Sequence, residues 1–311
     1  MKKEEIADWF RALQDDICRQ LEEADGLATF EEDNWLRDDL AAGTGKGGGG
    51  RSRVIRNGNV IEKGGVNFSA VWGNTPENIL KALQLDKAEF FATGVSIVMH
   101  PKSPMVPIIH MNVRYFEMSN GTWWFGGGID LTPHYVVKED AAWFHQQLKN
   151  TCDRHSPEYY TRFKKWADDY FFIPHRKETR GVGGIFFDRL SGGEVSEKEE
   201  IFRFVQDTGK TFAPIYTGLI SKNKALPYGE NELQWQKLRR GRYVEFNLVW
   251  DKGTKFGLDT DGRTESILMS LPPLAAWEYN YSPEAGSREA DTLEWLKKDI
   301  DWLSVPDKDH D

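Results

Sequence analysis

Five polar side chains stand in two otherwise apolar stretches of this chain. Ser96 and His100 lie in FFATGVSIVMH, and His110, Asn112 and Arg114 lie in IIHMNVRYFEM. Both stretches are short and rich in β-branched and aromatic residues, and Pro101, Pro104 and Pro107 punctuate the connection between them. Both are therefore predicted as strands. Side chains alternate along a strand, so Ser96, Val98 and His100 share one face, as do His110, Asn112 and Arg114. Ile97, Met99, Met111, Val113 and Tyr115 take the opposite face. Such alternation most often marks the solvated side of an antiparallel sheet, but a solvated side usually carries Lys, Glu and Thr. Imidazole suits proton transfer near neutrality, and guanidinium suits carboxylates. Two neighbouring strands of this kind would make a surface that binds acids and moves protons.

Other candidates are weaker. His145 falls within a helical pattern at 138–150, and His175 follows Pro174. No pair among His100, His110, His145 and His175 has the i, i+4 spacing of a helical metal motif. Taken singly, each histidine is more often a hydrogen-bonded, partly buried residue than a ligand. The stretch GRYVEFNLVWD reads as another alternating strand, with Tyr243, Glu245, Asn247, Val249 and Asp251 on one face and Val244, Phe246, Leu248 and Trp250 on the other. Its polar side is either solvated or lines a cavity. The segment GTKFGLDTDGRTES reads as a loop presenting Arg263, and the glycines of RGVGGIFFD suit close backbone approach or a bulge.

The positioning elements follow from periodicity. Ile6, Phe10, Leu13, Ile17 and Leu21 recur at helical spacing, so residues 3–24 form an amphipathic helix with an acidic outer face. The glycine run GTGKGGGGRSRV at 43–54 lacks a Walker ending and reads as a flexible or close-approach segment. Short strands follow in VIRNGNVIE, with its Asn-Gly turn, VNFSAVW, the pair above, TWWFGGGIDL and SILMSL. Helices are expected at 138–150, at 156–171 with Ser156 as cap, at 195–209, and from Ser287 to about 300. Strands joined by turns predict an antiparallel sheet, and no linker interrupts the 311 residues, so one α+β domain spanning 1–311 is expected.

Composition narrows the function. No segment has the apolar length of a membrane span, the N-terminus lacks a signal-peptide run, and Cys18 and Cys152 are too few for a disulfide framework, which predicts a soluble, cytoplasmic protein. Residues 1–40 carry 13 acids and 5 bases, whereas Lys46, Arg51, Arg53, Arg56 and Lys63 face only Glu62 over 41–66. That patch is too small for nucleic acid but could steer a small polyanion. Aromatics make up 13% of residues, enough both for a core and for the walls of a flat apolar ligand's pocket.

Six blocks carry a resemblance: GGGGRSRVIRNGNVIEKGGVNFS (47–69), HPKSPMVPIIHMNVRYFE (100–117), WWFGGGIDLTP (123–133), YFFIPHRKETRGVGGIFFD (170–188), RRGRYVEFNLVWDKGTKFGL (239–258) and GRTESILMSLPP (262–273). In this order they resemble the oxygen-dependent coproporphyrinogen III oxidases of haem biosynthesis. The resemblance implies a large antiparallel sheet flanked by helices on both faces, and a homodimer. It implies oxidative decarboxylation of two propionates to vinyl groups, with molecular oxygen as co-substrate, release of CO2 and hydrogen peroxide, and no flavin, haem or nicotinamide. By the same analogy His110 is the proton donor, and Ser96, Asn112, Val113, Arg114, Asp261, Gly262 and Arg263 contact coproporphyrinogen III. His100, His110, His145 and His175 are the positions of a divalent metal in bacterial members. Asp251 is the candidate acceptor for the pyrrole N–H groups. Two departures stand out: Lys252 where the family commonly has Arg, and Asp261 where bacterial relatives often have Gly. A carrier using the same pocket without chemistry, and a metal-dependent hydrolase using the four histidines, are the alternative readings.

Overall fold

The computed structural model describes residues 1–37, 47–75, 80, 88–192, 195–259 and 262–305. Its centre is a seven-stranded antiparallel sheet. Six strands form a meander: β1 (Glu31–Leu36), β2 (Gly47–Arg56), β3 (Ile61–Asn74), β4 (Glu89–Pro101), β5 (Ile108–Met118) and β6 (Trp123–Thr132). A small ribbon of β7 (Phe172–Ile173) and β8 (Glu178–Thr179) precedes β9 (Gly183–Leu190), which pairs with β6. The predicted hairpin forms, with Asn57-Gly58 opening its loop and the reversal at residues 59–60. Asn57 adopts φ 57°, and the Gly58 amide donates to the Ile61 carbonyl at 2.9 Å.

One face of the sheet is the core. Val95, Ile97, Met111, Val113, Ile129 and Phe187 are fully buried there beneath α1 (Lys3–Asp25), α2 (Lys138–Asp153), α3 (Tyr159–Tyr170) and α4 (Val195–Asn223). Helix α4 outruns the expected 195–209. Gly209, which looks like a stop, is where α1 comes close: a Cβ there would stand 2.7 Å from Leu13 Cδ2. Pro214 also lies inside α4, whose continuation is held by the buried Phe212, Ile215, Tyr216 and Leu219. The glycine run likewise serves close approach: from Gly47 onward it is strand β2, and a Cβ at Gly50 would stand 2.3 Å from the Trp35 ring. Residues 43–46 lie outside the described part.

The other face is covered by a later part of the chain. This part comprises α5 (Glu230–Glu245), a π turn (Phe246–Trp250), α6 (Lys252–Asp259) and α7 (Thr264–Leu268), whereas α8 (Arg288–Trp295) and the segment after it return to the first side, where Trp295 and Trp302 pack against the α1–α4 core. Tyr243 packs with Val98 and Ile108, Ser266 Oγ meets Ser52 Oγ at 2.8 Å, and Met269 sits over Gly65. Helices thus flank the sheet on both sides, as the resemblance implied. Two expected strands are not strands: GRYVEFNLVWD ends α5 and forms the π turn, and SILMSL supplies the end of α7 and the turn after it. A short apolar–polar run fits either period. The good helix formers of ENELQWQKLRR, opened by the Gly229 amide bonding the Glu232 carboxylate at 2.8 Å, carry the helix through it.

Candidate active site

Strand register assembles the polar face that alternation predicted. Ser96 lies opposite Asn112, Val98 opposite His110, and Gly94 opposite Arg114. Asn67 lies opposite Ser96, and Ser52 opposite Asn67, so a polar row crosses four strands, with Ser52 Oγ donating to Asn67 Oδ1 at 2.9 Å. Val113, an expected substrate contact, points the other way and is fully buried in the core. Alternation allows Asn112 and Arg114 on the polar face only if residue 113 leaves it.

His110 faces Asp130 across β5 and β6. Its Nδ1 stands 2.7 Å from Asp130 Oδ1, and Nε2 has no hydrogen-bond partner among the described residues. Asp130 accepts from Arg180 Nη2 at 2.7 and 2.8 Å, while Arg180 Nη1 donates to Asn247 Oδ1 at 2.9 Å. Arg180 is enclosed by rings, its guanidinium carbon 4.4 Å from the Phe171 centroid and 4.7 Å from those of Tyr243 and Phe246. Burial opposes ionisation of Asp130, but the Arg180 charge and the His110 hydrogen bond hold its carboxyl below the usual carboxylate range. An ionised Asp130 takes the Nδ1 proton of His110 in a hydrogen bond. That fixes the tautomer and leaves Nε2 for exchange.

Asp251 is the second charged centre. It is not on a strand face, but follows the π turn. Tyr170 Oη donates to its Oδ1 at 2.7 Å, and the Thr254 amide and hydroxyl donate to its Oδ2 at 2.8 and 2.7 Å. Burial works against the charge, and these bonds, with Arg180 behind them, keep the carboxyl below its usual range. Arg114 donates to Asn112 and Asp188, both at 2.8 Å, over a floor cleared by Gly126. A Cβ at Gly126 would stand 2.6 Å from Asp188 Oδ1 and 2.9 Å from Arg114 Nε. Arg263, at the start of α7, pairs with the exposed Asp33. Gly262 closes the preceding turn onto the Gly257 carbonyl at 2.8 Å, Lys252 is exposed at the start of α6, and Asp261 lies outside the described residues.

The four histidines are not brought together. His100 is buried with Nε2 on the Ser270 carbonyl at 2.8 Å. His145 bonds Tyr160 Oη and the Val182 carbonyl. His175, at the surface, bonds Glu245 and Trp250 through its two nitrogens. No cluster of three His, Cys, Asp or Glu side chains among the described residues is arranged for a metal. The residues present do not fit the implied divalent ion, because three of the ring systems already serve carbonyls, hydroxyls or carboxylates of separate elements. The arginines of the basic patch are neutralised internally: Arg51 and Arg53 pair with Asp15, Arg53 also with Glu32, and Arg56 with Glu31, while Lys63 donates to the Leu271 carbonyl at 2.7 Å and Lys46 lies outside the described residues.

Sequence reasoning misses Asp130, Arg180 and Tyr170 as parts of the site, and places Asn247 only on a polar face that is either solvated or lines a cavity. Asp130 carries a faint signal, because it shares a strand face with Gly126 and Gly128 in an aromatic, glycine-rich strand. Arg180 carries none, since only tertiary packing brings it over β6.

Sheet and side chains define an α+β protein with a histidine–carboxylate pair and an arginine on one polar sheet face. The coproporphyrinogen III oxidase family model matches residues 5–302. The chain is 50% identical over 315 aligned positions to the oxygen-dependent coproporphyrinogen-III oxidase of Parasynechococcus marenigrum (strain WH8102), covering 94% of this chain and 85% of that protein. It is 48% identical to the proteins of the same name from Synechococcus sp. strains CC9902 and CC9605, again over 94% of its length and 86% and 85% of theirs. The chain belongs to the coproporphyrinogen III oxidase family.

Proposed function

We propose that this protein is an oxygen-dependent coproporphyrinogen III oxidase of porphyrin biosynthesis, producing protoporphyrinogen IX. Each step converts a propionate, –CH2CH2COOH, to a vinyl group while O2 becomes hydrogen peroxide and CO2 leaves. The carbon–carboxyl bond and one C–H bond of the β-carbon break, and their electrons form the vinyl bond and reduce O2. The observation that carries the proposal is His110, anchored through Nδ1 on Asp130 at 2.7 Å while Nε2 has no hydrogen-bond partner among the described residues.

The roles follow from charge. Asp251, kept ionised, accepts pyrrole N–H groups, and a pyrrole that gives up its proton is electron-rich enough to meet O2 directly. Arg114 and Arg263 take propionates, each charge-assisted bond contributing roughly 1.5–3 kcal/mol. Asp33 yields Arg263 readily, because an exposed ion pair is worth only about 0–1 kcal/mol. Ser96 and Asn112 orient the ring edge, and His110 delivers the proton. No step passes through a metal.

The homodimer and cytoplasmic location belong to the same proposal. The exposed Leu248, Val249 and Trp250 support self-association, and sedimentation checks it. No helix among the described residues is long and apolar enough to cross a membrane. The deciding experiment is turnover of coproporphyrinogen III under air, with chromatographic separation of products and an anaerobic control. Oxygen-dependent protoporphyrinogen and CO2 are expected. Stoichiometric binding without CO2 release would replace the oxidase with a carrier.

A further inference from the structure

The two charged centres of the site come from distant parts of the chain, and one element touches both. The π turn 246–250 begins with two buried residues, Phe246 and Asn247, and continues with three exposed ones, Leu248, Val249 and Trp250. It closes on the bond from the Asp251 amide to the Phe246 carbonyl at 2.9 Å. At its inner end Asn247, 4% exposed, accepts from Arg180 at 2.9 Å, and Phe246 covers the same guanidinium. At its outer end stands Asp251, tied to Tyr170 and Thr254. A continuous path of hydrogen bonds and one short turn therefore runs from His110 through Asp130, Arg180 and Asn247 to Asp251. π turns recur at functional sites because the widened turn departs from the regular ladder.

We infer that Asn247 is a positioning residue that couples the His110–Asp130–Arg180 relay to the Asp251 carboxylate, so that proton donor and pyrrole-binding anion hold one geometry. The guanidinium has five donor hydrogens in a fixed plane. Asp130 fixes one edge, and the Asn247 carbonyl oxygen fixes the other. Without that oxygen, Arg180 keeps its charge and its rings but loses the bond that ties it to the turn. Asn247 touches neither substrate nor O2 in this assignment, which rests on the oxidase reading above.

The test is steady-state kinetics on the full chain with coproporphyrinogen III. Asn247→Leu removes the acceptor at nearly constant size, and Asn247→Asp keeps it. Leu is expected to lower kcat about ten- to a hundredfold, the loss of one bond to a charged group, with KM within a few-fold of wild type. Asp is expected to recover most of that loss. In an Asp130→Asn background, Asn247→Leu should cost little more, because both act through Arg180. Losses that multiply independently, or an Asp variant as slow as Leu, would overturn the coupling. If the Leu variant does not fold by circular dichroism, Asn247→Ser, too short to reach Arg180, takes its place with the same expectations. Failure of the oxidase reading is seen separately, as a wild-type chain that releases no CO2 under air.

Discussion

At the residue scale, the site depends on how one histidine is held. His110 meets Asp130 at 2.7 Å, and Asp130 is itself paired with a buried arginine. The carboxylate does not take up a proton readily, so in the proposed mechanism it orients the imidazole and leaves Nε2 as the exchanging atom. A general acid or base of this kind contributes about 10²–10⁴-fold to a rate. His110→Ala should therefore lower turnover by about that factor while substrate affinity changes far less, measured by turnover beside binding of the substrate under anaerobic conditions. Equal turnover in the variant would remove His110 from the mechanism. The residue type and its face are readable from alternation. Its partner is not, because Asp130 lies 20 positions away and reaches His110 only through strand register.

At the element scale, glycine decides what the sheet face can hold. Arg114 lies flat over β6 because position 126 has no side chain, and a Cβ there would approach both Arg114 and Asp188. Those neighbours are the ends of flexible side chains, so Gly126→Ala should fold while displacing Arg114. Losing one good charged bond of about 1.4 kcal/mol corresponds to tenfold in affinity. KM should rise about tenfold with kcat within a few-fold. A variant that loses kcat at unchanged KM would place Arg114 elsewhere in the reaction. The same scale shows where periodicity misleads: GRYVEFNLVWD alternates like a strand, but α5 is already running when the chain reaches it, and the π turn re-aims Asn247 and Asp251 inward.

At the scale of the whole molecule, burial of histidines sets the acid limit. Burial pushes His100 and His145 down to about 3 and His134 well below its ordinary value. The unfolded chain binds these protons near pH 6.5, whereas the folded chain does not. Their contribution is therefore fully present above about pH 6.5 and is lost as pH falls toward 3, by up to about 1.4 kcal/mol per pH unit for each histidine. Urea midpoints should be flat above neutrality and fall steadily from about pH 6.5 to 5. Replacing His145 with Phe should make that decline shallower. A stability unchanged between pH 7.5 and 5 would contradict the three neutral burials.

Much of this protein is legible in its sequence. The antiparallel sheet, the acidic first helix, the Asn-Gly hairpin and the shared face of Ser96, His110, Asn112 and Arg114 follow from side-chain period and turn chemistry, which are local properties. The blocks of family likeness point to Asp251 and Arg263 without any knowledge of their surroundings. Tertiary structure decided the rest: that the four histidines serve four different neighbourhoods, that the arginines of the basic patch are neutralised by α1 and β1, and that Arg180 and Asn247 bind Asp130 to the π turn. Each of these depends on distance between residues far apart in sequence. Packing fixes that distance, and no local pattern encodes it.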